Sequence, residues 1–132
     1  MEAHQLKEVF LHAFTDGRDT SPQGGIEYMK KVLDHTKNQS AKVASVIGRY
    51  YAMDRDKRWE RIKEAYDLLV NGVGEATTDV LQSFEKSYQE EITDEFFKPL
   101  VCVDDSGNPV GKIQEGDAVS YTHLTLPTTP YV

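Results

Sequence analysis

The chain has 132 residues, enough for one domain with its own core, and 39% hydrophobic against 28% charged residues is an ordinary balance for a globular protein in water. A formal net charge of −7 excludes a general nucleic-acid binder, which needs a broad basic surface against the phosphates. The only cysteine, Cys102, excludes an intrachain disulfide, and no apolar run is long enough for a signal peptide or a membrane span, so a reducing, cytoplasmic setting is expected.

Residues 9–14 (VFLHAF) are short, mostly apolar and followed by a Gly-containing turn, which predicts a buried strand. His12 lies inside that run, so a hydrogen-bonded core histidine is favoured over a general base or ligand. After Gly24 and Gly25, the positions Ile26, Met29, Val32, Leu33 and Thr36 recur at helical spacing, and the helix is expected to end near Asn38. Residues 42–47 (KVASVI) read as a second buried strand closed by Gly48. A strand–helix–strand unit of this length places its two strands parallel.

A basic island follows. Between Gly48 and Lys63 stand Arg49, Arg55, Lys57, Arg58, Arg61 and Lys63, against Asp54, Asp56 and Glu60. A positive island in an acidic chain points to a small anionic ligand, because a guanidinium fork matches the oxygens of a phosphate or carboxylate. Tyr50, Tyr51 and Trp59 can stack on a ligand, but packing is the safer reading. Lys57, Arg58 and Arg61 read as surface charges or partners of Glu60 and Glu64.

The next predicted helix carries Trp59, Ile62, Ala65, Tyr66, Leu69 and Val70 on its inward face and stops at Asn71-Gly72. Residues 72–77 (GVGEAT) resemble a dinucleotide loop only faintly, since they follow a helix and not a strand. Another helix is expected after Thr77-Thr78-Asp79, which can cap it, with Val80, Leu81, Phe84 and Tyr88 inward. Thr93-Asp94-Glu95 begins a short turn before Pro99, residues 100–103 form a third strand, and residues 104–108 turn so that 110–113 can pair back. That turn lacks the alternating ligands and closing glutamate of a calcium loop. Cys102, in an apolar run, reads as a buried thiol.

Two polar motifs therefore each follow a strand: residues 12–20 (HAFTDGRDT) and 48–56 (GRYYAMDRD). Parallel strands bring both to the carboxyl edge of the sheet, where open α/β sheets bind ligands. Arg18 can meet Arg49 and Arg55 there, with Asp16, Asp19, Asp54 and Asp56 available to orient the guanidinium groups or to contact a ligand hydroxyl. The expected fold is α/β, a parallel-type sheet flanked by helices in an incomplete domain with a non-native-looking C-terminal tail.

Four ordered motifs carry a family resemblance: LHAFTDGRDT (11–20), GRYYAMDRDKRWER (48–61), TDEFFKP (93–99) and EGDAV (115–119). Together they resemble the cofactor-independent, that is 2,3-bisphosphoglycerate-independent, phosphoglycerate mutases. The resemblance implies a glycolytic and gluconeogenic isomerase that interconverts 3-phosphoglycerate and 2-phosphoglycerate without a 2,3-bisphosphoglycerate requirement. It further implies a monomeric parent with two α/β domains. One, of alkaline-phosphatase type, carries two metal ions, usually manganese, and a serine that becomes phosphorylated. The other, inserted into it, holds the glycerate, and this chain resembles the central part of that inserted domain. By motif, Arg18 and Asp19 match the family's substrate pair, and Arg49 and Arg55 match two arginines that grip the substrate's anionic groups; Asp19 is also a possible acid/base group.

The same resemblance implies no metal and no catalytic serine in this segment, which alone is expected to be inactive; the acidic charge and short apolar runs argue against a nucleic-acid or membrane partner. Residues 1–118 are expected to form a partial substrate-binding domain. From residue 119 the pattern departs: the family's Arg-x-Asp-Arg segment is absent, and VSYTHLTLPT (119–128) resembles a translated transposase-type sequencing adapter. A disordered or artefactual tail is expected over 119–132, which makes His123 irrelevant to catalysis. The competing expectations are a stand-alone binding module for a small anionic metabolite and a scaffold domain with incidental arginines.

Overall fold

Strand β1 (Val9–Thr15) and strand β2 (Ala41–Gly48) lie side by side and parallel, joined by helix α1 (Gly25–Thr36), as the hydrophobic periodicity predicts. The structure is a computed structural model and describes residues 6–121. Strand β2 is buried along nearly its whole length, which explains its near-continuous apolar sequence. An extra residue on β2 interrupts the register, since Leu11 pairs with Val43 but His12 pairs with Ser45. This bulge shifts the alternation by one, so that Val43 and Val46 contribute to the same core cluster.

Among the described residues the sheet has four strands in the order β1-β2-β4-β3, completed by β3 (Glu75–Thr77) and β4 (Leu100–Cys102). The α/β class holds, but the sheet is mixed: β4 runs antiparallel to β2 and parallel to β3. The reason lies in the preceding turn. Gly48 N–H donates to the Phe97 carbonyl at 2.8 Å, so the chain returns to the sheet at the carboxyl end of β2. A strand that starts there can only run back along it. Strand β3 was not expected, because Glu75-Ala76-Thr77 carries no apolar alternation; it is recruited through Glu75 N–H to Pro99 O and Val103 N–H to Thr77 O.

Helices cover both faces. On one side α1 and helix α4 (Val80–Gln89) bury Met29, Val80 and Phe84 against Val43, Val46, Leu100 and Cys102, with Phe97 beside them. Asp79 caps α4, its carboxylate accepting from Gln82 N–H at 3.2 Å, as the Thr/Asp cluster predicts. On the other side helix α3 (Trp59–Tyr66) and a π-helical turn (Asp67–Asn71) bury Ala65 and Leu68 against Ile47 and Val101. Here the predicted inward face is corrected: Trp59 and Tyr66 are 67% and 59% exposed, and Leu68 takes the central place. The π turn inserts a residue relative to helical spacing, which rotates the following side chains off the expected stripe. Gly72, at φ 67°, ends the segment in the left-handed region, where the sequence puts the stop.

After β4, Asp104 N–H donates to the Asn108 carbonyl at 2.9 Å across the turn, and Val110 N–H reaches Cys102 O at 3.0 Å. The expected return is therefore a brief pairing at Pro109 and Val110, with no regular strand over 110–113. Of the expected tail, residues 122–132 lie outside the described residues; residues 119–121 have no regular structure, and the Tyr121 ring lies 5.9 Å from that of Phe14.

Candidate functional site

The last paired residues of the two parallel strands are Thr15 and Gly48, so Asp16 and Arg49 leave the sheet side by side at its carboxyl edge. Gly48 is required by packing. A Cβ there would lie 2.3 Å from Glu95 O and 2.6 Å from Phe97 N, both backbone atoms. Immediately after it, a single-turn helix α2 (Arg49–Ala52), not expected from the sequence, turns Arg49 toward the first loop.

Arg49 Nη1 donates to Asp16 Oδ1 at 2.8 Å and to Asp19 Oδ2 at 3.0 Å. The Arg49 side chain is only 13% exposed, whereas Asp19 is 75% exposed. Asp16 Oδ1 also accepts the backbone N–H groups of Arg18 and Asp19, both at 3.0 Å, which curls the Asp-Gly-Arg-Asp segment around one carboxylate. Burial raises the Asp16 carboxyl pKa, but the Asp19 N–H, the Arg49 guanidinium and the Arg18 N–H together outweigh it and hold the group below the usual carboxylate range. The Asp16 hydrogen bond, opposed by burial and helped by Asp19, pushes the Arg49 pKa up. Both bonds leave from Nη1, so the remaining guanidinium donors of Arg49 face no protein acceptor among the described residues.

Arg18 points elsewhere. Its side chain is 61% exposed and its Nε lies 3.6 Å from Glu95 Oε1. Glu95 belongs to the short 3-10 turn Asp94–Phe96, which anchors both loops. Thr15 Oγ1 donates to Asp94 O at 2.6 Å, and the buried Asp94 carboxylate accepts Gly25 N–H and the Tyr88 hydroxyl at 2.6 and 2.5 Å. Gly17 packs so closely on this turn that a Cβ would lie 2.6 Å from Glu95 N, and its φ of 66° also demands glycine. The TDEFFKP motif is thus the platform under the site, a role that no local feature of the sequence announces.

Arg55 is exposed in the turn between α2 and α3, and no ion pair among the described residues ties it to Asp19 or to another carboxylate. The structure therefore brings Arg49, Asp19 and Asp16 together, sets Arg18 on the same loop, and gives Arg55 no ion-pair partner among the described residues. Arg61, expected to pair with its helix neighbours, instead reaches Asp54 at 3.2 Å and stacks on Tyr50.

The other candidates resolve structurally. His12 Nδ1 lies 2.7 Å from Ser45 Oγ across the strand pair, and burial lowers its pKa. Cys102 is buried, and desolvation pushes its thiol pKa to about 11. An open cavity of about 290 Å³ lies beside Lys42, Asp79 and Cys102, toward the amino end of β2 and away from the arginines. Among the described residues no group of three or more His, Cys, Asp or Glu side chains fits a metal ion. No described helix is long and apolar enough to cross a membrane.

These features define an α/β domain that gathers arginine and aspartate side chains at the carboxyl ends of two parallel strands. The chain belongs to the family described as "BPG-independent PGAM N-terminus", whose model matches residues 1–123. Proteins named 2,3-bisphosphoglycerate-independent phosphoglycerate mutase are similar to it: that of Flavobacterium psychrophilum is 56% identical over 116 residues, covering 88% of this chain and 23% of the relative. That of Thermomicrobium roseum is 50% identical over 117 residues, covering 88% of this chain and 22% of the relative. A crystal structure of Leishmania mexicana phosphoglycerate mutase at low cobalt concentration superposes with a TM-score of 0.75 at 27% identity, covering 85% of this chain and 22% of that one. The chain thus spans under a quarter of the length of these proteins.

Proposed function

We propose that residues 1–118 are part of the domain that binds and orients the glycerate moiety in a phosphoglycerate mutase of the cofactor-independent type. The observation that carries this reading is Arg49, held on one nitrogen by two carboxylates with its other donors unmatched among the described residues. A guanidinium held in this way can receive a carboxylate or phosphate without paying further conformational entropy. Arg55, exposed and without an ion pair among the described residues, supplies a second cationic contact, and Arg18 adds positive charge. Asp19 accepts from a glycerate hydroxyl and is the candidate acid/base group.

In this reading the phosphoryl group passes to a serine in a separate alkaline-phosphatase-type domain of the same polypeptide, freed glycerate reorients, and the group returns to its other hydroxyl. Manganese ions bound in that domain supply charge neutralisation for the transfer. The residues described here position the glycerate and balance its charge, in a cytoplasmic and monomeric parent. Conversion of 3- to 2-phosphoglycerate by the intact, metal-loaded protein, coupled to enolase, tests the proposal. The expected result is turnover in the intact protein that Arg49→Ala reduces sharply. An intact gene encoding no further domain, with phosphoglycerate binding retained, would instead mark a stand-alone metabolite-binding module.

A further inference from the structure

Asp54 is a charged side chain only 1% exposed, and the arginine–aspartate contacts at residues 16, 19 and 49 do not involve it. Its Oδ2 accepts the Arg58 and Asp56 N–H groups at 2.8 and 3.3 Å, closing the turn on which Arg55 stands. Its Oδ1 accepts Arg61 Nη1 at 3.2 Å. The Arg61 guanidinium sits over Tyr50, its central carbon 3.9 Å from the ring centroid. Tyr50 in turn packs 5.0 Å from Phe96, next to the Glu95 that faces Arg18.

A carboxylate this deeply buried is costly unless paired, and Arg61 is the cation that pairs it. The turn it closes also holds Lys57 at φ 60°, a conformation that a lysine adopts only when its surroundings impose it. Arg55 itself has no side-chain partner among the described residues, so its placement depends on the backbone beneath it.

We propose that Arg61 and Asp54 are positioning residues for Arg55. They clamp its turn through Tyr50 and Phe96 to the platform that faces Arg18. The proposal rests on the reading that Arg55 contacts the substrate's anionic group. A planar guanidinium that bonds Asp54 and stacks on Tyr50 at the same time explains why arginine, and not lysine, stands at residue 61.

The test uses the intact protein and two readouts. In the first, hydrogen exchange is followed by mass spectrometry over residues 53–58 in the wild type, Arg61→Lys and Arg61→Ala. Faster exchange in both variants, largest in Arg61→Ala and with β2 unchanged, is expected; unchanged protection overturns the clamp whether or not the protein is a mutase. In the second, kcat and KM for 3-phosphoglycerate are measured in a double-mutant cycle of Arg61→Ala and Arg55→Ala. A displacement of about 1 Å at a substrate contact costs roughly a hundredfold, so KM should rise roughly tenfold or more in Arg61→Ala, less in Arg61→Lys, and no further when Arg55→Ala is added. Additive losses would mean that Arg61 acts independently of Arg55 and would overturn the proposal, as would unaltered kinetics. A wild type without turnover defeats the functional reading alone, and the exchange readout then decides the clamp.

Discussion

The carboxylate of Asp16 and the guanidinium of Arg49, 33 residues apart in sequence, meet at 2.8 Å because their preceding residues, Thr15 and Gly48, are paired neighbours at the ends of parallel strands. Strand register, not local sequence, makes this contact. It also makes one aspartate responsible for both the shape of the first loop and the orientation of the principal arginine of the second.

Removing that carboxylate should be felt in stability as well as in binding. Asp16→Ala leaves two backbone N–H groups and a mostly buried guanidinium without their acceptor, and a loss of about 2 kcal/mol is expected for charge-assisted bonds of this kind. The native-state pKa of Asp16 is lowered, so its contribution is fully present above the unfolded carboxylate pKa of about 3.9. It is lost as the pH falls through the lower native value. Urea denaturation from pH 7 downward should show the gap between wild type and Asp16→Asn closing on the acid side. A gap that widens there would contradict the ionised role of Asp16.

A second expectation concerns Gly48, whose φ and ψ of −74° and 152° suit any residue. Only packing demands glycine there. Because the atoms that a Cβ would strike are backbone atoms of Asp94, Glu95 and Phe97, no side chain can yield, and Gly48→Ala should cost about 3 kcal/mol. A urea midpoint equal to that of the wild type would show that the 3-10 turn shifts freely, and with it the platform under the site.

Much of this arrangement was legible in advance. The strand–helix–strand unit follows from Ile26, Met29 and Leu33 between two apolar runs, and the meeting of the two motif loops follows from that topology. The direction of β4 was not legible, because it is set by the Gly48–Phe97 hydrogen bond between segments distant in sequence. The inward face of α3 differs from the expected one at Trp59 and Tyr66, because the segment docks on the sheet through Ala65 and Leu68 against Ile47 and Val101, a choice of face that apolar spacing alone does not decide. The platform role of Asp94 and the stack of Arg61 on Tyr50 escaped for a related reason: a charged residue in a polar run reads as solvated until its tertiary partners are known.

The thiol offers a simple check on the core. Cys102 is buried, on β4, with its pKa raised to about 11 by desolvation. The reactive thiolate is therefore scarce near neutral pH and poorly accessible. Modification by a disulfide reagent at pH 7.5 should be slow in the native protein and rapid in denaturing urea. Rapid native labelling would indicate that the strand opens or that the thiol faces solvent.

The most demanding prediction concerns Asp94, whose titration should run opposite to that of Asp16. Its pKa is raised, chiefly by burial and further by the Asp16 charge, against the opposing hydrogen bonds from Tyr88 and Gly25. An acid whose native pKa lies above its unfolded value contributes stability that is fully present below the unfolded pKa of about 3.9 and is lost as pH rises through the native value. Tyr88→Phe removes a donor that favours the carboxylate, so the native pKa should climb and the window of lost stability should move to higher pH. The side-chain carbonyl carbon of Asp94, followed by NMR in wild type and Tyr88→Phe, reads this directly. Titration at or below the ordinary carboxylate value in both proteins would show that water reaches Asp94, and that the turn joining the two loops is not the sealed platform its hydrogen bonds describe.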